Sequence, residues 1–339
     1  KPQDGRFTIS LTKDKVDVRV SIIPSAYGES IVMRLLRASS AGLQFDELGL
    51  KGKAYNDLQK QMSKPNGMLI ATGPTGSGKT TTLYAILNKL NRPETKIITL
   101  EDPIEYKLAG IIQSQVENKP HTDAKSEIEK STRYTFARGL RALLRQDPDV
   151  VMVGEIRDLE TADVAINAAL TGHLMLSTMH TNSAAATIPR LLAMGVQSFL
   201  LAPALDAIIG QRLVRGLCAY CKIEDDTIDT ATTPEILNPI NNIAPESGHA
   251  VADINNLKFF KAQGCDKCHN LGYKGRVGIY EIFMMTPEIE KLILAGNVSE
   301  YEIEKVAVKN GMITMLQDGL LKALEGITSV QEVFSKVKD

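Results

Sequence analysis

Residues 73–80 read Gly-Pro-Thr-Gly-Ser-Gly-Lys-Thr, a GxxxxGK[ST] string without a mismatch. Nothing else in the chain constrains its fold as much. Such a loop works only where a buried strand ends and a helix begins. The glycines let successive N–H groups turn toward phosphate oxygens, and the helix adds its positive end. The context is present: an apolar run at 68–72 precedes the loop and a helical pattern at 80–90 follows. The alternative is a Gly-rich turn that binds nothing, and that context argues against it. Lys79 supplies a point charge for β and γ phosphates, and the Thr80 hydroxyl is placed for Mg²⁺. The phosphate-cradling set is Gly73, Pro74, Thr75, Gly76, Ser77, Gly78, Lys79, Thr80 and Thr81.

The surrounding pattern agrees with this context. Helices are expected at 53–62, 80–90, 135–146, 159–170 and 184–194. Strands are expected at 68–72, 96–100, 149–153 and 174–178. Alternation of this kind means a mainly parallel sheet covered on both faces, an α/β fold with ligands at the carboxyl ends of its strands. Residues 16–22 and 31–36 read as two strands of a small α/β piece at 1–37, joined by a small-residue linker at 38–45 to a P-loop core at 46–215. A cysteine-bearing element at 216–275 and a helical part at 276–339 follow. Residues 118–133 and 222–264 read as inserted surface excursions. The stretch 164–189 has no charged residue, but its polar side chains fit a buried αβ unit better than a membrane span. Residues 1–6 have no apolar leader core and no initiator Met, so the expectation is a fragment without a signal peptide.

The charge of −1, with 23% charged and 43% hydrophobic residues, excludes a disordered chain and a protein that binds nucleic acid by bulk basicity. Four cysteines are too few for a secreted disulfide scaffold. They form two pairs, Cys218-x-x-Cys221 and Cys265-x-x-Cys268, and four thiolates suit a tetrahedral structural Zn²⁺. Buried free thiols or redox pairs are the alternatives.

Acidic groups follow two of the strands: Glu101, Asp102 and Glu105 after the first, Glu155 and Asp158 after the second. One carboxylate is expected to hold Mg²⁺ and another to deprotonate the attacking water; Asp102 and Asp158 also read as helix caps. A third strand opens at His173 and ends near His180; spacing alone favours two satisfied structural histidines, the alternative being that His180 senses a γ-phosphate. Arg138, Arg141 and Arg145 share a helix face suited to a subunit contact or to solvent.

Together these segments resemble one family. GPTGSGKTTTLYAIL from Gly73, ITLEDPIEY from Ile98, LRQDPDVVMVGEIRDLETA from Leu144 and TGHLMLSTMHTNSA from Thr171 are similar to the Walker A, aspartate, Walker B and histidine boxes of the secretion ATPases of type II secretion and type IV pilus assembly. PQDGRF from Pro2, DVRVSIIPSAYGESIVMRLL from Asp17, QRLVRGLCAYC from Gln211 and GCDKCHNLGYKGRVGIYEIF from Gly264 match as well. The resemblance implies a RecA-like P-loop ATPase that uses ATP and Mg²⁺, with Glu101 as general base. Glu155 with Thr80 would hold Mg²⁺. His180 would lie at the γ-phosphate, and Asp102, Glu105 and His173 would stand near the nucleotide. Arg19 and Arg34 of the small domain would clamp it. It also implies a homo-hexamer at the cytoplasmic face of the inner membrane, reaching the membrane only through a platform protein and touching no nucleic acid. The Zn²⁺ tetracysteine element favours assembly over retraction. A DNA-uptake or conjugation-type motor and a non-hydrolysing ATP-binding regulator are the alternatives. Residues 1–37 match only the end of the family's small domain.

Overall fold

The computed structural model describes residues 1–10, 15–37, 44–116, 134–228, 234–249, 257–296 and 298–337. The segment 118–133, and most of the linker expected at 38–45, lie outside the described residues.

The chain opens with β1 (Gln3–Ser10), β2 (Lys15–Ser25) and β3 (Gly28–Arg37), an antiparallel sheet of its own. Two of these strands are expected from alternation; β1 is not, because its apolar positions are interrupted by charge. The core then runs α1 (Gly52–Met62), β4 (Gly67–Thr72), α2 (Lys79–Leu90), β5 (Ile97–Glu101), β6 (Ile112–Gln115) and α3 (Phe136–Leu143). It continues with β7 (Val150–Val153), α4 (Leu159–Leu170), β8 (Leu174–Met179), α5 (Thr187–Ala193), α6 (Ser198–Ala204) and β9 (Leu205–Leu217). Next come β10 (Lys222–Glu224), α7 (Pro234–Asn241), β11 (Phe260–Ala262) and β12 (Tyr273–Met284). The chain closes on α8 (Pro287–Leu294), α9 (Glu300–Lys309), α10 (Met315–Leu324) and α11 (Val330–Val337).

Seven strands make the central sheet in the order β12-β9-β4-β8-β7-β5-β6. All neighbours are parallel except β12, which runs antiparallel to β9. The strands are buried on both sides, so period two shows as a division between two cores. Met68, Ile70, Val151 and Val153 pack with α4 on one face, while Leu69, Ala71, Val150 and Met152 pack with α1 and α2 on the other. The expected alternation is therefore the observed architecture, with the P-loop strand at its centre.

Two expectations change. The C-terminal part counted from residue 276 opens on a strand, because β12 is an edge strand of the central sheet, and its helices begin at Pro287, where the helical pattern of the sequence starts. The register of β12 runs from Tyr273 opposite Leu217 to Met284 opposite Ala207. Its apolar and aromatic residues Ile279, Tyr280, Ile282 and Phe283 are buried. The second insert is also more than a surface excursion. Ile236 and Ile240 of α7 are buried with Phe259 against Leu320, Ala323 and Val330 of the C-terminal helices. Burial of these apolar side chains holds the insert on the body of the protein.

Candidate functional site

The P-loop leaves β4 at Thr72 and enters α2 at Lys79. Gly73, Gly76 and Gly78 all have positive φ, at 145°, 80° and 90°. Gly73 is further restricted: a Cβ there would lie 2.5 Å from the Gln211 carbonyl and 2.7 Å from Ser77 Oγ. The loop is clipped from β9, where the buried Gln211 donates through Nε2 to the Ser77 carbonyl at 2.6 Å. Lys79 is buried and donates to the carbonyls of Gly73 at 2.7 Å and Pro74 at 3.1 Å. Burial pushes its ammonium down to about 8; Glu155 opposes this and Arg212 adds to it. A cation held under these conditions gains from an anion brought to it. Thr80 and Thr81 stand half-buried in the first turn of α2, and Pro74, Thr75 and Gly76 are exposed.

The strand order decides what stands beside the loop. β8 lies next to β4, then β7, then β5, so their carboxyl ends bring His180, Glu155 and Glu101 to one edge. Glu155 has its Oε2 buried without a hydrogen bond. Arg157 Nε forms an ion pair with it at 2.6 Å and His180 Nε2 lies 3.6 Å away. A buried carboxylate oxygen paired only with an exposed arginine, and whose charge acts on Lys79, fits a Mg²⁺ position shared with Thr80. Burial, reinforced by Lys79, holds the His180 imidazole below its ordinary range against Glu155, so it stays neutral near pH 7. Asp158 caps α4, accepting from Thr161 N–H at 2.8 Å, and is taken by that role.

Glu101 is buried at the end of β5 with three donors on its carboxylate. Thr99 Oγ1 donates to Oε1 at 2.5 Å, Gln113 Nε2 donates to Oε1 at 3.1 Å, and Tyr84 Oη donates to Oε2. Burial raises its pKa and the three donors oppose the rise. Asp102 follows, half-buried.

Three expected residues lie elsewhere. His173 precedes β8, at the amino edge of the sheet; a six-residue strand puts it roughly 20 Å from the carboxyl edge. Its Nδ1 is 3.1 Å from the Ala168 carbonyl, so within this chain it fastens the α4–β8 turn. Arg19 and Arg34 are opposite one another on β2 and β3. Arg19 turns to the loop after β5, donating to the Ile104 carbonyl at 2.9 Å and pairing with Glu105 at 3.2 Å. This pairing engages both Arg19 and the Glu105 carboxylate expected near nucleotide. Arg34 is exposed. Tyr84 and Gln211 stand inside the matching segments and Gln113 outside them, but the sequence pattern assigns none of the three a role; only the strand order brings them to the site.

The four cysteines meet. Cys218 and Cys265 Sγ are 3.9 Å apart, Cys221 and Cys268 3.8 Å, and Cys265 and Cys268 3.7 Å. Tetrahedral zinc with sulfur at about 2.3 Å requires sulfurs about 3.8 Å apart, whereas a disulfide needs about 2.05 Å. The β10–β11 ribbon, paired from Lys222–Ala262 to Glu224–Phe260, brings the two CxxC turns together across the insert. The N–H groups of Cys265 and Gly272 donate to Cys268 Sγ at 3.3 and 3.2 Å, the support a thiolate ligand needs. The donor set fits Zn²⁺.

Comparison with known proteins agrees with this geometry. The chain is 46% identical to the type IV pilus assembly ATPase PilB of Pseudomonas aeruginosa over 345 positions, covering 100% of this chain and 56% of PilB. It is equally 46% identical to type II secretion system protein E of the same organism, covering 100% of this chain and 62% of that protein. The chain thus spans about three-fifths of these relatives or less. Among solved structures, the Legionella pneumophila ATPase DotB superposes with a TM-score of 0.67 at 20% identity, covering 100% of this chain and 78% of DotB. The pilus retraction motor PilT with bound ADP gives 0.62 at 26% identity, covering 99% of this chain and 78% of PilT. A family model described as type II/IV secretion system protein matches residues 1–335, and the chain belongs to that family.

Proposed function

We propose that this protein is the motor part of an ATPase that drives polymerisation of a type IV pilus or a type II secretion pseudopilus. The observation that carries the proposal is the single edge shared by the P-loop, Glu155, His180 and Glu101. Lys79 and the loop N–H groups hold the β and γ phosphates. Thr80 and Glu155 hold Mg²⁺, which when bound neutralises charge on those phosphates. Glu101 accepts the proton of a water whose oxygen attacks the γ phosphorus; the γ-phosphorus bond to the bridging oxygen breaks and ADP leaves. His180, neutral and at the same edge, hydrogen-bonds the γ-phosphate. Arg19 and Arg34 act as the small-domain clamp, Arg19 exchanging Glu105 for phosphate as that domain rotates.

The working unit in this reading is a homo-hexamer at the cytoplasmic face of the inner membrane. Among the described residues no helix is long and apolar enough to cross a membrane. The proposal assigns contact with the membrane to a platform protein. Zn²⁺ on Cys218, Cys221, Cys265 and Cys268 supports the assembly branch. The curated relatives at 46% identity, against 26% for the retraction motor, point the same way. Phosphate release from ATP by the purified protein is the test. Lys79→Ala and Glu155→Ala should each lower it at least about a hundredfold. Wild-type turnover matched by either variant would overturn the proposal.

A further inference from the structure

Tyr84 lies on α2, on the helix that starts at the P-loop lysine, with its ring fully buried. It meets Tyr106 edge-on, the centroids 4.6 Å apart at 89°. A phenol this deep must place its hydroxyl on a partner, and the partner is Glu101 Oε2. The arrangement is built from several elements. Gln113 on β6 donates to Glu101 Oε1 and lies 3.4 Å from the Tyr84 oxygen. Gln113 is itself fixed, accepting from Leu108 N–H at 2.8 Å and donating to the Tyr106 carbonyl at 3.1 Å. The conformation of Glu101 is thus set by neighbours from α2, β5 and β6.

We infer that Tyr84 is a positioning residue for Glu101: its hydroxyl orients the carboxylate and keeps it ready to accept a proton from water. The inference rests on the base role proposed for Glu101. The phenol also ties that base to the helix that receives the phosphates, so the two move together. The groups facing Glu101 are few. Thr99 on β5, Gln113 on β6 and Tyr84 on α2 donate to it. Glu105 and Tyr106 face it from the following loop, with Arg19 of β2 behind Glu105. Gly154, the residue after β7, stands against the Glu101 backbone.

The direction of the effect follows from the bond. A donor on a carboxylate favours its charged form, and burial favours the neutral one. Here burial raises the Glu101 pKa and Tyr84 is one of the donors opposing it. Removing the hydroxyl raises the pKa further, and a base must be ionised to act.

Tyr84→Phe keeps the ring and deletes the donor. Its kcat for ATP should fall about tenfold, part of what a well-placed base supplies. KM for ATP should stay within about twofold, and the acid limb of kcat against pH should move to higher pH. Infrared titration of the Glu101 carboxyl in nucleotide-free protein should show the same upward move. If Tyr84→Phe does not fold, 3-fluorotyrosine at position 84, a stronger donor, should move the limb to lower pH. An unchanged limb and kcat in Tyr84→Phe with Glu101→Gln inactive overturns the positioning role alone. So does a change confined to KM or to thermal stability. Full activity in Glu101→Gln overturns the base assignment and the positioning role together.

Discussion

The residue that shows most clearly how position overrides type is Glu281. It stands in β12 opposite Gly210, and a Cβ at residue 210 would lie 2.6 Å from its Oε1, so only glycine leaves room for the carboxylate. Its Oε1 accepts from Ala184 N–H, which fastens the segment that leaves the histidine strand. Burial pushes its pKa from 4.5 up to about 7; Glu304 adds to the rise, and the Ala184 N–H and Arg212 oppose it. The folded pKa lies above the unfolded one. The folded state therefore binds more proton between these values, and stability falls as pH rises from about 4.5 to 7. Glu281→Gln keeps the acceptor and cannot ionise. Its melting temperature should match wild type near pH 4 and exceed it at pH 8, a gain of about 3 kcal/mol at most. A constant difference across that range would show that Glu281 does not titrate with unfolding. The P-loop and the acids at the ends of β5 and β7 are legible in the sequence because each closes its own apolar strand. Glu281, Gln211 and Tyr84 are illegible because their partners are chosen by the order β12-β9-β4-β8-β7-β5-β6. That order is a property of packing, and local pattern does not encode it.

At the scale of elements, periodicity locates β4, β5, β7 and β8 and helices α1 to α5, because these are buried on both faces or amphipathic, and it misses β6, β9 and α6 of the same core. It failed where an element borrows its stability from a distant one. β1 is held by β2, β12 by β9, and α7 by helices about eighty residues further on. The tetracysteine element joins the two cases. The CxxC pairs are plain in the sequence, but the ribbon β10–β11 that closes the distance between them is three residues per strand and too short to read. With Zn²⁺ in place, four thiolates and this ribbon clamp the base of the insert. Metal analysis of the purified protein should give about one zinc per chain. Cys268→Ser should lower that value and speed proteolysis of residues 225–260. Less than about half a zinc per chain with reduced thiols would sink the zinc assignment.

At the scale of the whole molecule, the small sheet and the core are joined by Arg19 on the loop that follows Glu101. The side chains of that ion pair are about a quarter exposed, 24% and 28%, so the pair is a modest bond that a competing anion can replace. Both faces of the β1–β3 sheet carry exposed apolar side chains: Ile31, Met33 and Leu35 alternate with Val32, and Phe7 and Ile9 lie beside them. Val16 and Val18 of β2 are buried, but this much exposed apolar surface on a three-stranded sheet calls for a further cover. Contact with other copies of the chain, as the ring reading requires, would cover part of it. Coupling between copies can be measured without isolating the contact. Wild-type chains mixed with Lys79→Ala chains, allowed to exchange and then assayed, should lose ATP turnover more steeply than the inactive fraction rises. With half the chains inactive, the remaining rate should fall well below half, because each site depends on movement in its neighbours. A strictly proportional fall would mean that each chain hydrolyses on its own, and the ring-driven motor would give way to an independent ATPase.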